Sequence, residues 1–249
     1  MSDGIYAALS GAIAQERALD VVANNVANVG TDGFRGDRLA FQESLSRAPG
    51  GPTPASLRYV EVSQSRIDPT EGPLRSTGNA TDFALSGDAF FVVQTPNGER
   101  LTRDGGFLVG QDGMLRATNG GHPVLQAEPA DPRRPEVMVP DPTLPISVAE
   151  DGTLSQNGEP FARLRLERFQ APEDARHEGL SLLLPAQGAR TVRAEGATVL
   201  QGYLEGANVS AISGMNELVT ANRSFEAFQR VIQTFRSVDE RTARELANS

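Results

Sequence analysis

The sequence predicts an α+β fold in which long N- and C-terminal helices form a coiled-coil-like core and the middle of the chain is an antiparallel β-rich domain. Three observations carry this: a helical apolar stripe at each end, a drop to period two between them, and Gly-containing turn dipeptides recurring through the middle. The expected organisation is a discontinuous helical domain from 1–35 plus 205–249, an extended linker or hairpin at 36–75, and a β-rich domain at 76–204.

The first helix is read from about Ser2 to Val29, where Ile5, Ala8, Ala12, Leu19, Val22, Val26 and Val29 recur at offsets of three, four and seven. Only Gln15 is polar in that series, and Gly30 offers a stop. The last helix carries Ala211, Leu218, Ala221, Phe225, Phe228, Ile232, Phe235 and Leu246 on one stripe. Charged residues from Glu217 to Arg241 occupy its other side, and Asn208 or Ser210 is placed to cap its start.

Between the helices, runs such as 90–93, 107–109, 124–125, 137–139, 146–148 and 164–166 read as short strands. Asn97-Gly98, Asp104-Gly105, Asp112-Gly113, Asn119-Gly120, Asp151-Gly152 and Asn157-Gly158 supply the positive φ that tight hairpins need. Their close spacing predicts an antiparallel meander, and prolines at 49–54 and 129–145 mark longer connections.

Composition removes many functions. Among 249 residues there is no Cys, and all 23 cationic side chains are Arg. Thiolate metal sites, cysteine nucleophiles, a P-loop and Schiff-base chemistry are excluded by residue type. A net charge of -9 argues against nucleic acid as a partner. No run approaches the length of a membrane span, and Asp3 with Glu16-Arg17 does not suit a cleaved signal peptide, so no membrane insertion is expected. His122 and His177 read as exposed turn residues, and no metal-loop, hydrolase-elbow or dinucleotide fingerprint is present. The expectation is therefore no catalytic residue, no metal and no cofactor.

An isolated amphipathic helix is marginal in water, so the two stripes need partners. Either they pair within one molecule, or neighbouring subunits complete them. The segment Ala23-Asn24-Asn25-Val26-Ala27-Asn28-Val29-Gly30-Thr31-Asp32-Gly33-Phe34-Arg35 bears on that choice, since three Asn within five residues are a costly way to write a helix. It resembles the A-N-N-x-A-N-x-x-T-x-G-[FY] signature of bacterial flagellar rod and hook proteins. Asp82 to Val93, with Gly87, Phe90 and Phe91, is similar to the family's D-[LF]-A-[IL]-x-G-x-G-F-F stretch. Gly202 to Val209, with Leu204, Glu205, Asn208 and Val209, resembles its G-x-L-E-x-S-N-V entry to the C-terminal helix. Ala89 and Ala207 depart from the usual Gly and Ser.

The opening residues Gly4 to Gly11 look most like the proximal-rod branch, with the distal rod as the alternative. The resemblance implies a non-enzymatic structural subunit of the flagellar basal body, exported by the flagellum's own type III apparatus without a cleaved signal. Its implied partners are copies of itself and other rod proteins, assembled as a tubular drive shaft around the export channel. The implied interface is Ile5, Leu19, Val22 and Val26 against Leu218, Phe225, Phe228, Ile232 and Phe235, with Asn24, Asn25 and Asn28 setting register. A rival of another class is a periplasmic β domain that binds or cleaves cell-wall glycan.

Overall fold

The computed structural model describes residues 2–47, 56–171, 174–179 and 181–247. The proline cluster expected at 49–54 and the side chain of Leu246 lie outside the described set. In chain order the elements are α1 (Ser2–Ala27), β1 (Asp37–Arg47), β2 (Ser56–Ile67), β3 (Leu74–Ser76), β4 (Phe83–Ser86), β5 (Phe90–Thr95) and β6 (Gly98–Thr102). There follow β7 (Phe107–Val109), β8 (Leu115–Ala117), β9 (Ser147–Val148), β10 (Thr153–Gln156), β11 (Glu159–Arg163) and β12 (Leu166–Phe169). The remainder are β13 (Ala175–Glu178), β14 (Leu182–Pro185), β15 (Thr191–Arg193), β16 (Thr198–Gln201), β17 (Tyr203–Glu205) and α2 (Ala211–Ala247).

They divide into two compact units. One comprises 1–27, 37–66 and 210–249, the other 28–36 and 67–209.

In the first unit, β1 pairs with β2, and α1 and α2 lie antiparallel against each other. Ser210 starts α2 as its N-cap, its hydroxyl accepting from Ser213 N–H at 3.4 Å. The helix contact is made by small residues receiving large ones. A Cβ placed on Gly4 would stand 2.8 Å from Cζ of Phe235, and one on Gly11 2.5 Å from Cε1 of Phe228. At the other end Val26 sits over Gly214 in the same way.

This corrects the expected coiled-coil-like core. The buried positions of α1 are Ala8, Gly11, Ala12, Ala14 and Ala18, too small to serve as interlocking heptad knobs. The largest fully buried side chains, among them Phe83, Phe91, Leu85, Leu115 and Leu154, all belong to the strand-rich unit. Two helices stand beside seventeen strands among the described residues, so the chain is β-rich and its core lies in the strands. The periodicity located the helices correctly, but their stripe holds too little buried volume to organise the fold. No helix among the described residues is long and apolar enough to cross a membrane.

The second unit is built on a six-stranded sheet of order β13-β14-β6-β5-β12-β15, antiparallel at every step. A three-stranded sheet β11-β10-β9 and the pairs β16-β4, β17-β3 and β7-β8 complete it. The β10–β11 hairpin turns on Asn157 and Gly158, with φ of 52° and 85°, the two left-handed positions of a type I′ turn. The expected meander is realised locally, as in β5–β6, while non-consecutive neighbours such as β5 and β12 close the sheet. Residues 124–125 and 137–139 contribute isolated bridges, Val93 to Val124 and Met114 to Met138, in place of full strands. One core cluster gathers Phe83, Leu85, Phe91, Phe107, Leu115 and Leu154, and a smaller one Phe90, Leu101, Phe169 and Leu183.

Candidate assembly surface

In the helical unit, Ile5, Leu19, Val22 and Val26 of α1 are half-buried, as are Leu218, Phe225, Phe228, Ile232 and Phe235 of α2. The predicted interface residues therefore lie on the stripes that pair within one chain. What stays outside is a second set of large apolar side chains. Tyr6, Leu9 and Ile13 are 55%, 46% and 43% exposed on α1, and Ile212, Met215 and Val219 are 77%, 59% and 49% exposed on α2. Period alone did not separate them, because only one face of each helix was counted as apolar.

The Asn-rich end of α1 is held by its own chain. The Asn25 side chain donates to Asp37 O at 2.8 Å and accepts from Asp37 N–H at 2.9 Å, pairing like a strand neighbour with the residue that opens β1. Asn24 is exposed. Asn28 falls in the strand-rich unit, where it is buried and its carbonyl accepts from Thr31 N–H.

In that second unit the motif segments converge. Gly33 donates its N–H to Glu205 O at 2.7 Å with φ of 70°, and a Cβ there would stand 2.2 Å from Asp104 N. Glycine alone fits. Phe34 is buried and stacks on His177, which lies on β13 and not in the exposed turn expected. Phe90 meets Phe169 edge-on, and Phe91 meets Phe107 likewise. Gly87 takes φ of 97° and donates to Glu71 Oε1 at 2.8 Å. Leu204 is buried, Val209 half-buried, and Ala89 is fully enclosed in the core. The Asn208 amide accepts from Gly36 N–H at 2.7 Å and donates to Thr70 O at 2.9 Å.

At the centre stands Glu205. Its Oε1 is 2.8 Å from Arg35 Nη2 and its Oε2 3.1 Å from Arg103 Nη1, with side-chain exposures of 1%, 2% and 2%. Gly72 N–H also donates to Oε1, at 2.8 Å. Arg103 gives further bonds to the carbonyls of Leu85 and Gly87, and Arg35 to that of Pro69. Burial lowers the pKa of Arg35 and Glu205 opposes that shift. Both carboxylate oxygens are engaged, so Glu205 serves as a counter-ion and not as a base. A cavity of about 280 Å³ adjoins the cluster, lined in part by Arg35, Arg103, Phe90 and Phe169.

The roles of Arg35 and Arg103 escaped sequence reading, since isolated charges read as solvated; the one available signal was their place inside the T-x-G-F-R and T-R-D-G-G segments. Asp104, like Asp68 and Asp82, is a further buried acid. Burial raises its pKa, against hydrogen bonds from Gly106 N–H and the Asn119 amide. The Asp-Gly pairs at 112 and 151 act in turns, each Asp accepting from the N–H two residues on. Among the described residues, no group of three or more His, Asp or Glu is arranged to hold a metal.

Comparison with known proteins matches three family models along the chain. Residues 5–35 match "Flagella basal body rod protein", 84–156 "Flagellar hook protein FlgE/F/G D1 domain", and 200–245 "Flagellar basal body rod FlgEFG protein C-terminal". The chain is 36% identical to the flagellar basal-body rod protein FlgF of Rhizobium meliloti strain 1021, covering 91% of this chain and 90% of that protein. It is 35% identical to the FlgF of Mesorhizobium japonicum, with 96% of each covered. To the basal-body rod protein FlgG of Buchnera aphidicola from Acyrthosiphon pisum it is 29% identical, covering 94% of this chain and 96% of that protein. With both terminal helices, the Gly33 crossing and the Glu205 cluster falling on the matched segments, the chain belongs to the flagellar basal-body rod protein family.

Proposed function

We propose that this chain is a structural subunit of the proximal rod that works without catalytic turnover. It joins copies of itself and other rod proteins through its terminal helices and forms part of a tubular shaft. The observation that carries the reading is the apolar surface left open on those helices. Ile212 is 77% exposed and Met215 59%, whereas the strand-rich unit gathers its Phe side chains and most of its Leu side chains into buried clusters and exposes no large apolar side chain beyond 47% among the described residues. Burying apolar surface against neighbours yields roughly 25 cal/mol per Å², so several such side chains per subunit supply a driving force for polymerisation. The stripe of Ile5, Leu19, Val22, Val26, Leu218, Phe225, Phe228, Ile232 and Phe235 would hold the helix pair together, and its outer faces would meet neighbours. Higher identity to FlgF-named than to FlgG-named relatives supports the proximal over the distal rod. Secretion through the flagellum's own export apparatus belongs to the same reading.

The test replaces the chromosomal copy with Ile212→Asp. Because Ile212 is exposed, the purified variant should keep the thermal stability of the parent, while swimming is lost and basal bodies lack the subunit. A stable variant that swims normally would overturn the assembly role of the helices.

A further inference from the structure

The chain holds three Asn-Gly pairs, at 97–98, 119–120 and 157–158. In each, a side-chain carboxamide stands next to a main-chain nitrogen that no Cβ shields. Attack of that nitrogen on the Asn Cγ closes a five-membered imide and expels ammonia. The fold holds the three pairs in different ways.

Asn97 is braced on both sides. Its carboxamide donates to Glu178 Oε1 at 3.1 Å, and its N–H donates to the Thr95 hydroxyl, which in turn donates to Gly98 O. Gly98 already belongs to β6, opposite Thr95. Asn119 donates its carboxamide to the buried Asp104 carboxylate. The glycine after it is crowded by the His122 ring, whose Nε2 would stand 2.6 Å from a Cβ on Gly120, and Gly121 N–H is tied to Ala117 O.

Asn157 has no such support. It and Gly158 are exposed, its carboxamide makes no hydrogen bond to any described residue, and nothing lies within 4 Å of where a Cβ on Gly158 would stand. The hairpin tip is also loosely fastened. β11 is the outer strand of its sheet, the β10–β11 register shifts between Leu154 and Ser155, and Pro160 has no N–H to give the ladder. Asn157 must leave its left-handed turn conformation before Gly158 N can reach Cγ, and a tip with so few bonds opens at low cost.

We propose that Asn157 is the residue at which the folded chain deamidates spontaneously, through an imide with Gly158. The Gly158 nitrogen bonds to Asn157 Cγ and loses its proton, the Cγ–Nδ2 bond breaks, and the departing amide nitrogen carries that proton away as ammonia. Water then opens the ring. Addition at the Cγ carbonyl gives aspartate, and addition at the main-chain carbonyl gives isoaspartate, whose backbone runs through Cβ. Either product adds a negative charge to a chain already at -9. Isoaspartate also puts an extra carbon into a two-residue turn whose twist matches its strands. Nothing in this chemistry depends on rod assembly, so its failure would leave the rod reading untouched.

Because all 23 cationic residues are Arg, cleavage after Arg places the three pairs on separate peptides, 76–100, 117–133 and 134–163. Full-length protein is incubated at mildly alkaline pH, folded and in parallel in guanidinium chloride, and conversion on each peptide is followed by mass spectrometry. Unfolded, the three pairs should convert at similar rates. Folded, Asn157 should convert at least about threefold faster than Asn97 or Asn119, which is the advantage that one net hydrogen bond confers on each of the held amides. Asn157→Gly keeps a residue that accepts positive φ and should remove most of the acidic species seen on isoelectric focusing. Conversion of Asn97 or Asn119 as fast as that of Asn157 in the folded protein would overturn the proposal. So would a folded Asn157 that stays intact while the unfolded sample converts, or an acidic species undiminished in Asn157→Gly.

Discussion

Replacing Glu205 with Gln keeps the side chain's size and removes its charge. In the native protein one carboxylate neutralises two guanidinium groups that are each 2% exposed. Without it Arg35 retains the Pro69 carbonyl, and Arg103 the carbonyls of Leu85 and Gly87 together with half-exposed Glu71 at 3.7 Å. Removing one partner from a buried ion pair costs about 3–5 kcal/mol. At about 2–4 °C per kcal/mol for a chain of this size, Glu205→Gln should lower Tm by about 6–20 °C by scanning calorimetry. Buried charges are poorly screened, so the loss should persist in 0.5 M salt, unlike that of a surface pair. A Tm within about 2 °C of the parent would refute the counter-ion role, because a site that loses this buried carboxylate without consequence was never desolvated.

Two further outcomes test other parts of the fold. Gly11→Ala would ordinarily strengthen a helix interior by about 1 kcal/mol, but its Cβ meets the Phe228 ring at 2.5 Å. A net loss of about 1–2 kcal/mol is expected by thermal circular dichroism, partly recovered by adding Phe228→Leu. Asp104 has a folded pKa raised by burial, so the native state binds its proton more tightly than the unfolded chain does. Its charge costs stability that is absent below the unfolded pKa and fully present above the folded one. Asp104→Asn should therefore flatten the decline in stability as pH rises through that window, measured by urea titrations from acidic to neutral pH.

The helices were legible because their apolar period needs no tertiary information: α1 ends at Ala27, two residues before the expected Val29 and three before the Gly30 stop, and α2 begins at Ala211, directly after the Ser210 cap. The type I′ turn at Asn157-Gly158 was equally local. What they pack against was not legible. Small residues at 4, 11 and 214 are weak helix signals, and only the approach of Phe235, Phe228 and Val26 shows them to be sockets. The charge cluster was hidden for a related reason. Arg35, Arg103 and Glu205 are separated by 68 and 102 residues along the chain, and an ionisable side chain carries no mark of the solvent it will lose. His177 misled in the same way, since a polar neighbourhood in sequence conceals the Phe34 ring that covers it.

The tie between residues 33–36 and 205–208 lowers the entropic cost of bringing the two helices together. Gly33 N–H to Glu205 O, Asn208 N–H to Phe34 O and Gly36 N–H to the Asn208 amide fasten two segments about 170 positions apart. Until they are fastened, α1 and α2 must find each other across a loop of nearly the whole chain, and afterwards their roots are held a few residues apart, which removes most of the closure entropy. A ribosome that delivers this polypeptide from its N-terminus releases a first helix with no mate until the 37 residues of α2 arrive. Shortening the tail should leave a well-formed head with a loose leader.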